Sequence, residues 1–596
     1  MLIYVVLIGT HLTKYREVNM ENIVLETYKS WLENPNIDEN TKAELSAIKN
    51  DFKDIEDRFY KDLQFGTAGL RGVIGAGSNR MNIYTVRKAT QGLANYILGS
   101  GEGVRSRGVV IAYDNRRMSR EFSEEAALVL AANGIKTYLF KSLRSTPELS
   151  FAIRALNCIS GIVVTASHNP PEYNGYKVYW EDGAQIATQR AEGIIEAIDG
   201  IEDFSSIAIL DKEKAMAENL FNYLDQDIDD QYIHEVKKQA LGDGHIDENF
   251  KVVFTPLHGT GNRPVRRILD EVGFKNVFVV PEQELPDSEF STVAYPNPED
   301  VKAFEMAIKL AKEKEAQIVI GTDPDCDRVG VVVKDQAGVY QALTGNQTGA
   351  LLVDYILSQL KKKGQIKDNH TMVKSIVTSE MGRKIANSYG VEMIDVLTGF
   401  KYIGEKIKAF ELNKDKAFLF GYEESYGYLA GTHARDKDAV VASMLICEMA
   451  AYYDAQNMSL YEALTALYEK YGYYIETLES ITLAGKEGLS KIAEIMTYFR
   501  ENQLDHILDQ KTASIEDYQS KEKIYLNPKK PTESMDLPEA NVLKFVLENG
   551  SWICLRPSGT EPKLKIYVGV NEGSLKASQE ALENLMNFMK KQVASI

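Results

Sequence analysis

This sequence has only four cysteines, and they lie far apart along the chain. No CxxC pair occurs, so neither a zinc knuckle nor a redox motif is indicated. Three of the cysteines lie in apolar strand or helix patterns, where a buried free thiol is expected. Such usage fits a reducing compartment, and we expect a cytoplasmic protein. The positions are Cys158, Cys326, Cys447 and Cys554.

A basic excess is also missing. Lys and Arg number 68 against 86 Asp and Glu, which gives a formal net charge of -18 at pH 7. A general nucleic-acid binder would show a basic face, so we expect no nucleic-acid partner. The balance does not exclude an acidic substrate, because a cleft can be locally positive inside a negative protein.

Long apolar runs are absent as well. The N-terminal run in MLIYVVLIGT is about nine residues long, whereas a membrane-spanning helix needs about 20, so we expect no membrane partner. Residues 1–19 lack the basic start and the small-residue cleavage site of a signal peptide. Met20 is followed by a polar, helix-compatible stretch. We therefore expect translation to start at Met20, with residues 1–19 as an upstream extension.

The sequence does contain a repeated alternation of β-branched apolar runs and amphipathic helical stretches. A chain of 596 residues suggests about three to five domains. The alternation, as in GVVIAYDNRRMS followed by SREFSEEAALVLAANG, predicts sheets covered by helices. The last part reads as a strand meander and a helix, typical of a small α+β domain. We predict three similar α/β domains with mixed sheets and a C-terminal α+β domain, with the bounds 20–215, 216–335, 336–475 and 476–596.

Three carboxylates alternate in the segment GTDPDCDRVG, directly after an apolar strand. Asp323, Asp325 and Asp327 would repel one another unless a cation neutralises them. Carboxylate oxygens suit magnesium or calcium. An EF-hand is rejected, because Arg328 replaces the required Gly of the loop and Lys334 replaces the required Glu. A solvated acidic turn is the alternative.

The segment CLRPSGTEPKLKIYV offers donors for a phosphate. Arg556 can donate two parallel bonds to phosphate, and Gly559 lets backbone amides approach closely. Ser558 and Thr560 add hydroxyl donors, and Lys563 adds charge. The segment is not a Walker loop, since GxxxxGK followed by Ser or Thr occurs nowhere in the chain. A plain β-hairpin turn is the alternative.

A single serine follows the apolar strand in GIVVTASHNPPEYNGYKVYW. Ser167 is expected to emerge at the carboxyl edge of a sheet, where α/β folds bind ligands. A hydrolase elbow is disfavoured, because Thr165 and Asn169 replace the glycines of GxSxG. Lys177 and His168 are candidate proton carriers. A rigid surface turn is the alternative.

Three further segments offer ligand-binding side chains, each ambiguous on its own. FGTAGLRG supplies Arg71, with a flexible connector as the alternative. LFGYEESYGYL places Glu423 and Ser425 two residues apart, a pair that suits vicinal sugar hydroxyls or a capped helix start. LTGFKYIG adds Thr398 and Lys401 as substrate-binding candidates.

In chain order, the motifs TASHNP, DPDCDR, GYEESYG and RPSGTEP resemble those of the α-D-phosphohexomutase superfamily. The resemblance covers nearly the whole chain from about Tyr28 onward. The longer forms YNGYKVYWEDGAQI and GYEESYGYL look like the phosphoglucomutase branch, which includes phosphopentomutase-like members and members that make sugar bisphosphates. The resemblance implies that the four domains lie around a central cleft.

The resemblance also implies roles for single residues. Ser167 would carry the transferred phosphoryl group, Lys177 would be the general acid/base, and Arg71 would lie beside the phosphoserine. The residues expected to bind one Mg²⁺ together with a phosphoserine oxygen are Asp323, Asp325 and Asp327. The residues expected at the substrate are Arg328 on the transferring phosphate, Glu423 and Ser425 on the sugar, and Arg556, Ser558, Gly559, Thr560 and Lys563 on the phosphate that does not react.

The activity that the resemblance implies is the interconversion of glucose 1-phosphate and glucose 6-phosphate. A glucose 1,6-bisphosphate intermediate, also the expected activator, would turn over and return its other phosphate to Ser167. The sugar loop departs from the commoner GEMSG form, which leaves phosphopentomutase and phosphomannomutase activity open. A phosphosugar phosphatase and a non-enzymatic phosphosugar-binding protein are the alternatives of another class. We expect a monomer or a homodimer.

Overall fold

Four sheets follow one another along the described part of the chain. The computed structural model describes residues 21–66, 68–242, 246–483, 485–528, 530–558 and 563–596. The expected start at Met20 and the extension of residues 1–19 lie outside these ranges, as do Gly559 and Thr560.

The first α/β region, residues 21–224, contains a mixed sheet covered by helices. Its helices are α1 (21–33), α2 (Glu39–Ala47), α3 (Phe52–Phe59), α4 (Ile83–Gly99), α5 (Val104–Arg107), α6 (Ser119–Ala132), α7 (Thr146–Ala155), α8 (Thr188–Asp199) and α9 (Lys212–Ala217). Its strands are β1 (Gly69–Val73), β2 (Val109–Tyr113), β3 (Thr137–Phe140), β4 (Ser160–Val164), β5 (Tyr173–Trp180) and β6 (Phe221–Leu224).

The order of this sheet is β1-β5-β4-β2-β3-β6. Strand β5 runs antiparallel to β1 and β4, whereas β4, β2, β3 and β6 are parallel to one another. The central strand β2 reads VVIAY and is buried throughout, as expected for a strand with helices on both faces. Val110 contributes to one hydrophobic core and Ile111 to another, because successive side chains point to opposite faces.

The second α/β region, residues 226–343, repeats this architecture. Its elements are α10 (Gln226–Lys237), β7 (Lys251–Thr255), α11 (Asn262–Glu271), β8 (Asn276–Val279), α12 (Pro281–Glu284), α13 (Glu305–Lys314), β9 (Ile318–Thr322), β10 (Val329–Lys334) and β11 (Tyr340–Leu343). The order is β11-β10-β9-β7-β8. Strands β9, β7 and β8 are parallel, and β10 pairs antiparallel with both of its neighbours.

The third α/β region, residues 345–471, has the smallest of the four sheets. Its elements are α14 (Gly345–Lys362), β12 (His370–Ser375), α15 (Glu380–Ser388), β13 (Glu392–Val396), α16 (Phe400–Asn413), β14 (Ala417–Glu423), β15 (Gly427–Ala430), α17 (Ala439–Asp454) and α18 (Leu460–Tyr471). The order is β13-β12-β14-β15, with β15 antiparallel to β14 and the other pairs parallel.

The C-terminal region, residues 473–596, is built on an antiparallel sheet. Its elements are β16 (Tyr473–Thr482), α19 (Gly485–Glu501), β17 (His506–Ile507), β18 (Gln510–Asp517), β19 (Glu522–Tyr525), β20 (Glu533–Ser534), β21 (Leu543–Leu547), β22 (Trp552–Pro557), β23 (Lys563–Glu572) and α20 (Leu575–Ser595). The main order is β16-β23-β22-β21-β18-β19-β20, and β17 pairs with β18. Side chains of α19 and α20 join the core of this sheet.

Helix α17 lies in the middle of the three α/β regions. Every residue from Ala439 to Ala451 is buried, as expected for a helix that is apolar all round. Its side chains join one core that extends through all three regions, whereas the C-terminal region has a core of its own.

The predicted fold class is confirmed: three mixed α/β sheets precede a C-terminal α+β region. Strand β6 completes the first sheet beyond residue 215, where the sequence analysis placed a boundary, and the boundaries themselves stay a prediction. No described helix combines the length and the apolar character needed to cross a membrane.

Candidate functional site

The serine loop follows β4, which ends at Val164. Ser167 has a left-handed backbone with φ 52°, a conformation that costs a non-glycine residue about 1–2 kcal/mol. Its N–H donates to Thr165 Oγ1 at 2.8 Å. The residue is only 4 % exposed, and its Oγ donates to Asp323 Oδ2 at 2.7 Å. The serine loop and the aspartate loop therefore meet at this atom pair.

The three aspartates follow β9 and converge. One oxygen from each of Asp323, Asp325 and Asp327 lies within 4.8 Å of the others, and all three residues are buried. Asp323 Oδ1 accepts from the N–H groups of Asp327 and Arg328, both at 3.0 Å. Oδ1 of Asp325 and Oδ1 of Asp327 are buried without a hydrogen-bond partner. Buried carboxylate oxygens left without donors fit a hard divalent cation.

Two lysines compensate this negative charge. Lys177 Nζ lies 2.9 Å from Asp325 Oδ2, and Lys437 Nζ lies 3.0 Å from Asp327 Oδ2. Burial raises the pKa of Asp323, and repulsion from Asp325 and Asp327 raises it further. Burial would also raise the pKa of Asp325, but Lys177 together with Asp323 and Ser167 holds that pKa well below its ordinary value. The two lysines therefore leave part of the repulsion among the three carboxylates uncompensated, and a further cation would reduce it.

His168 is the nearest titratable neighbour of the serine hydroxyl on the same loop. Its Nδ1 lies 3.3 Å from Ser167 Oγ. Burial lowers the pKa of His168 well below its ordinary value, and Arg328 and Arg71 lower it further. The ring is therefore neutral at pH 7, and its Nδ1 lies where it can form a hydrogen bond with the serine hydroxyl.

Two predicted arginines flank this centre. Arg71 lies on β1 opposite Gly175, is exposed, and places Nη1 3.4 Å from Asn169 Oδ1 in the serine loop. Arg328 pairs with Glu299, while its Nε is buried without a hydrogen-bond partner. Both guanidinium groups therefore lie where an anion at Ser167 would meet positive charge.

The third region contributes a carboxylate at the end of β14. Glu423 Oε1 accepts from the Gly399 N–H at 2.7 Å, which joins the loops after β13 and β14. Burial raises the pKa of Glu423 to about 7, with Glu424 adding to the effect and Lys437 opposing it.

Three other predicted residues of the third region form no described hydrogen bond with the serine hydroxyl. Thr398 Oγ1 is buried without a hydrogen-bond partner, Lys401 packs on the ring of the adjacent tyrosine, and Ser425 lies in the turn between β14 and β15. Among the described hydrogen bonds, none links these three to Ser167 or to the aspartates.

The predicted phosphate loop joins β22 to β23. Arg556 lies opposite Lys565 across this pair of strands, and the Ser558 N–H donates to the Lys563 carbonyl at 2.7 Å. Burial lowers the pKa of Lys565, as does Arg556, while Glu424 opposes the shift. Lys565 of the C-terminal region thus lies near Glu424 of the third region and Glu299 of the second. Gly559 and Thr560 lie outside the described residues.

The chain resembles known proteins both domain by domain and over most of its length. Models of the phosphoglucomutase/phosphomannomutase family match alpha/beta/alpha domain I at residues 62–204, domain II at 230–338, domain III at 344–471 and the C-terminal domain at 502–585. A phosphoglucomutase of Staphylococcus aureus is 39% identical over 536 residues, which cover 89% of this chain and 94% of that protein.

The chain belongs to the phosphoglucomutase/phosphomannomutase family. A second family member, the phosphoglucomutase of Staphylococcus saprophyticus, is 40% identical over 85% of this chain and 90% of its own length. Among solved structures, the Paramecium phosphoglucomutase parafusin in its open form superposes with a TM-score of 0.65 at 20% identity, covering 90% of this chain and 95% of that chain. A Thermus thermophilus chain described as a phosphomannomutase gives 0.64 at 23%, covering 90% and 99%. At such identities these two structures support the family fold alone.

Three charged residues that the sequence analysis did not single out contact the loops described above. Lys437 reaches the aspartate loop, Lys565 lies beside Arg556, and Arg116 binds the backbone of the serine loop. Lys565 lies within the segment CLRPSGTEPKLKIYV and Arg116 within GVVIAYDNRRMS, but neither segment indicates a role for them, and Lys437 lies outside the segments quoted above. The segment RDKDA, with alternating charges before an apolar helix, is the one sequence signal that pointed toward Lys437.

Proposed function

We propose that the protein interconverts glucose 1-phosphate and glucose 6-phosphate through a phosphoserine at Ser167 and a glucose 1,6-bisphosphate intermediate. The observation that carries the proposal is the 2.7 Å contact between Ser167 Oγ and Asp323 Oδ2. It joins a hydroxyl that can be esterified to a buried carboxylate cluster suited to a cation. Similarity to phosphoglucomutases over most of the chain supports glucose as the sugar.

The aspartates are the proposed metal ligands. Asp323, Asp325 and Asp327 would hold one Mg²⁺ together with an oxygen of the phosphoserine, since carboxylate oxygens are the donors that this ion prefers. When bound, the ion would neutralise charge on the phosphoryl group.

The proposed reaction is two phosphoryl transfers in opposite directions. In the first, the bond from phosphorus to Ser167 Oγ breaks, a bond to O6 of glucose 1-phosphate forms, and the O6 proton leaves to a base. Ser167 Oγ takes up a proton as it leaves. The bisphosphate then turns over, its O1–phosphorus bond breaks, Ser167 Oγ gives up its proton and regains a phosphoryl group, and O1 takes a proton. Glucose 1,6-bisphosphate added from outside would act as an activator by phosphorylating Ser167.

Residues around the serine would carry the protons and the charge. Lys177 Nζ and His168 Nδ1 are the assigned proton carriers, supported by their positions next to Asp325 and to Ser167 Oγ. Arg71 and Arg328 would offset charge on the moving group, because guanidinium groups bind phosphate oxygens in pairs.

The remaining predicted residues would bind the part of the substrate that does not react. Glu423 and Ser425 would accept sugar hydroxyls, with Thr398 and Lys401 beside them. The residues assigned to the distal phosphate are Arg556, Ser558, Gly559, Thr560 and Lys563. A group that grips either end of the bisphosphate lets the sugar reverse while the chemistry stays at Ser167.

We also propose a cytoplasmic monomer or homodimer. All four cysteines are free and buried, which suits a reducing compartment. Light scattering after size-exclusion chromatography distinguishes the two assembly states.

The activity is tested by a coupled assay on the purified protein with Mg²⁺ and glucose 1,6-bisphosphate. The 1-phosphates of glucose, mannose, ribose and N-acetylglucosamine are compared, and glucose is expected to give the highest kcat/KM. A higher kcat/KM for the 1-phosphate of another sugar would make that sugar the substrate in place of glucose. Release of inorganic phosphate without isomer would make the protein a phosphatase.

A further inference from the structure

A buried arginine of the first region binds the backbone of the serine loop. Arg116 follows β2, and its side chain is fully buried. Nη2 donates to the carbonyl oxygen of Ser167 and, at 2.5 Å, to that of Asn169. Nη1 donates to the carbonyl oxygens of Pro170 at 2.9 Å and Tyr173 at 3.1 Å. One guanidinium group therefore serves four carbonyls between the end of β4 and the start of β5, where buried acceptors need donors.

A carboxylate holds this guanidinium group from the side of the sheet. Asp114 Oδ2 lies 3.3 Å from Arg116 Nε, and both side chains are fully buried. The same oxygen accepts from Thr165 Oγ1 at 2.6 Å, and Thr165 Oγ1 in turn accepts from the Ser167 N–H at 2.8 Å. The ion pair is thus bonded to both sides of Ser167, to its N–H through Thr165 and to its carbonyl through Arg116.

The second region covers the outer face of the pair. The ring of Phe290 lies 5.0 Å from Arg116 Cζ, within the range of a cation–π contact. Asn115 Nδ2 donates to the Asp287 carbonyl at 2.8 Å, which seats the segment that carries Phe290. The position of the serine loop is therefore linked to the region that supplies the aspartates.

We propose that Arg116 is a positioning residue for phosphoryl transfer, which holds the backbone of Ser167 in the left-handed conformation that directs Oγ at Asp323. The proposal rests on the proposed function of Ser167. A lysine at this position keeps the charge, but one ammonium cannot reproduce the planar fork that reaches four carbonyls. The strained turn would then relax and carry Oγ away from the aspartates. A displacement of about 1 Å is enough to cost about 100-fold in rate.

The test compares Arg116→Lys with Arg107→Lys. Arg107 is a matched control, because it also bonds carbonyls of the first region, those of Asn157 and Cys158, and it does not touch the serine loop. We measure kcat, KM for glucose 1-phosphate, thermal midpoint, and the rate at which glucose 1,6-bisphosphate phosphorylates Ser167, followed by intact mass. Arg116→Lys is expected to lower kcat and the phosphorylation rate by about 100-fold while KM changes less than about threefold, because the distal groups are untouched. Arg107→Lys is expected to leave kcat, KM and the phosphorylation rate near their wild-type values.

Either of two outcomes of this comparison would overturn the proposal. One is a kcat for Arg116→Lys within about threefold of wild type, and the other is an equal loss in the control. If Arg116→Lys does not fold, Phe290→Leu replaces it as the test, because this variant removes only the covering ring. A kcat lowered by about fivefold or more with KM unchanged supports the proposal. An unchanged kcat overturns it. If wild type turns over no sugar phosphate, the proposed function fails, and the phosphorylation rate of Ser167 alone then decides the role of Arg116. Absence of any phosphorylation on wild-type Ser167 overturns both.

Discussion

The Lys437 ammonium lies 3.0 Å from Asp327 Oδ2, so a cation of the third region reaches into the aspartate loop of the second. It also lies 2.9 Å from Asp436 Oδ1. Burial would lower the pKa of Lys437, but Asp327 and Asp436 raise it above its ordinary value. The lysine is therefore charged and offsets part of the repulsion within the cluster.

Replacing Lys437 should destabilise the metal-free protein more than the protein in excess Mg²⁺. In Lys437→Met, two buried carboxylates lose their partner, a change that costs about 3–5 kcal/mol in buried pairs, and Mg²⁺ should restore part of that loss. We expect the thermal midpoint to fall further in EDTA than in excess Mg²⁺. Lys416→Met, which removes a surface pair with Glu392, should show a small and equal change in both. An equal loss for Lys437→Met under the two conditions would exclude the compensating role.

Removing the serine hydroxyl should end turnover and leave the fold intact. Ser167→Ala takes away the atom that would be esterified, so kcat should fall by about 10⁴-fold or more, and intact mass should show no phosphate after incubation with glucose 1,6-bisphosphate. Ser443→Ala is the matched control, because the Ser443 hydroxyl is also buried but has no hydrogen-bond partner. Turnover retained by Ser167→Ala would refute the covalent role.

Neutralising one proposed metal ligand should weaken Mg²⁺ binding and rate together. Asp325→Asn replaces a charged oxygen donor by a neutral amide, and we expect the Mg²⁺ concentration for half-maximal rate to rise at least about tenfold. Titration of the chelated enzyme with Mg²⁺ measures this. Asp270→Asn, at an exposed pair with Lys275, should titrate as wild type. An unchanged titration for Asp325→Asn would argue against the metal site.

Glu423 should make stability depend on pH. Burial raises its pKa from 4.5 to about 7, and Glu424 adds to this. Between pH 4.5 and 7 the folded protein therefore retains a proton that the unfolded chain has lost, so this group favours folding less as the pH rises. The loss is at most about 3 kcal/mol.

The matched comparison for this effect is Glu423→Gln, which cannot ionise. The thermal midpoint of wild type relative to this variant should fall between pH 5 and pH 8. A difference that stays constant over this range would contradict the assigned shift.

The parts of the site that sequence reasoning reached are those in which chemistry follows directly after a strand. Ser167 comes just after β4 and Asp323 just after β9, and the carboxyl ends of strands in open α/β sheets are where ligands bind. The strand pattern therefore predicts each loop at a sheet edge without identifying the partner that it meets. The alternation of β-branched apolar runs with amphipathic helical stretches also predicts the mixed sheets and the order of the α/β regions.

The residues that sequence reasoning missed depend on contacts across long stretches of chain. Arg116 reads as an ordinary charged residue after a strand, and its four carbonyl partners exist only once the serine loop has folded over it. Lys437 precedes a helix in the sequence and meets Asp327 only through the packing of two regions. Strand β6 likewise joins the first sheet beyond residue 215, because parallel pairing with β3 leaves no local signal.

The core around α17 determines how the molecule should come apart on heating. Three sheets share one apolar interior, so none of them can melt alone without exposing the side chains that support the other two. The C-terminal sheet encloses an interior of its own with α19 and α20, and it shares a smaller apolar cluster, which includes Val377 and Trp552, with the third region. Calorimetry should therefore resolve two unfolding transitions rather than four, with the proposed anchor for the phosphate that does not react in one and the proposed reacting serine in the other.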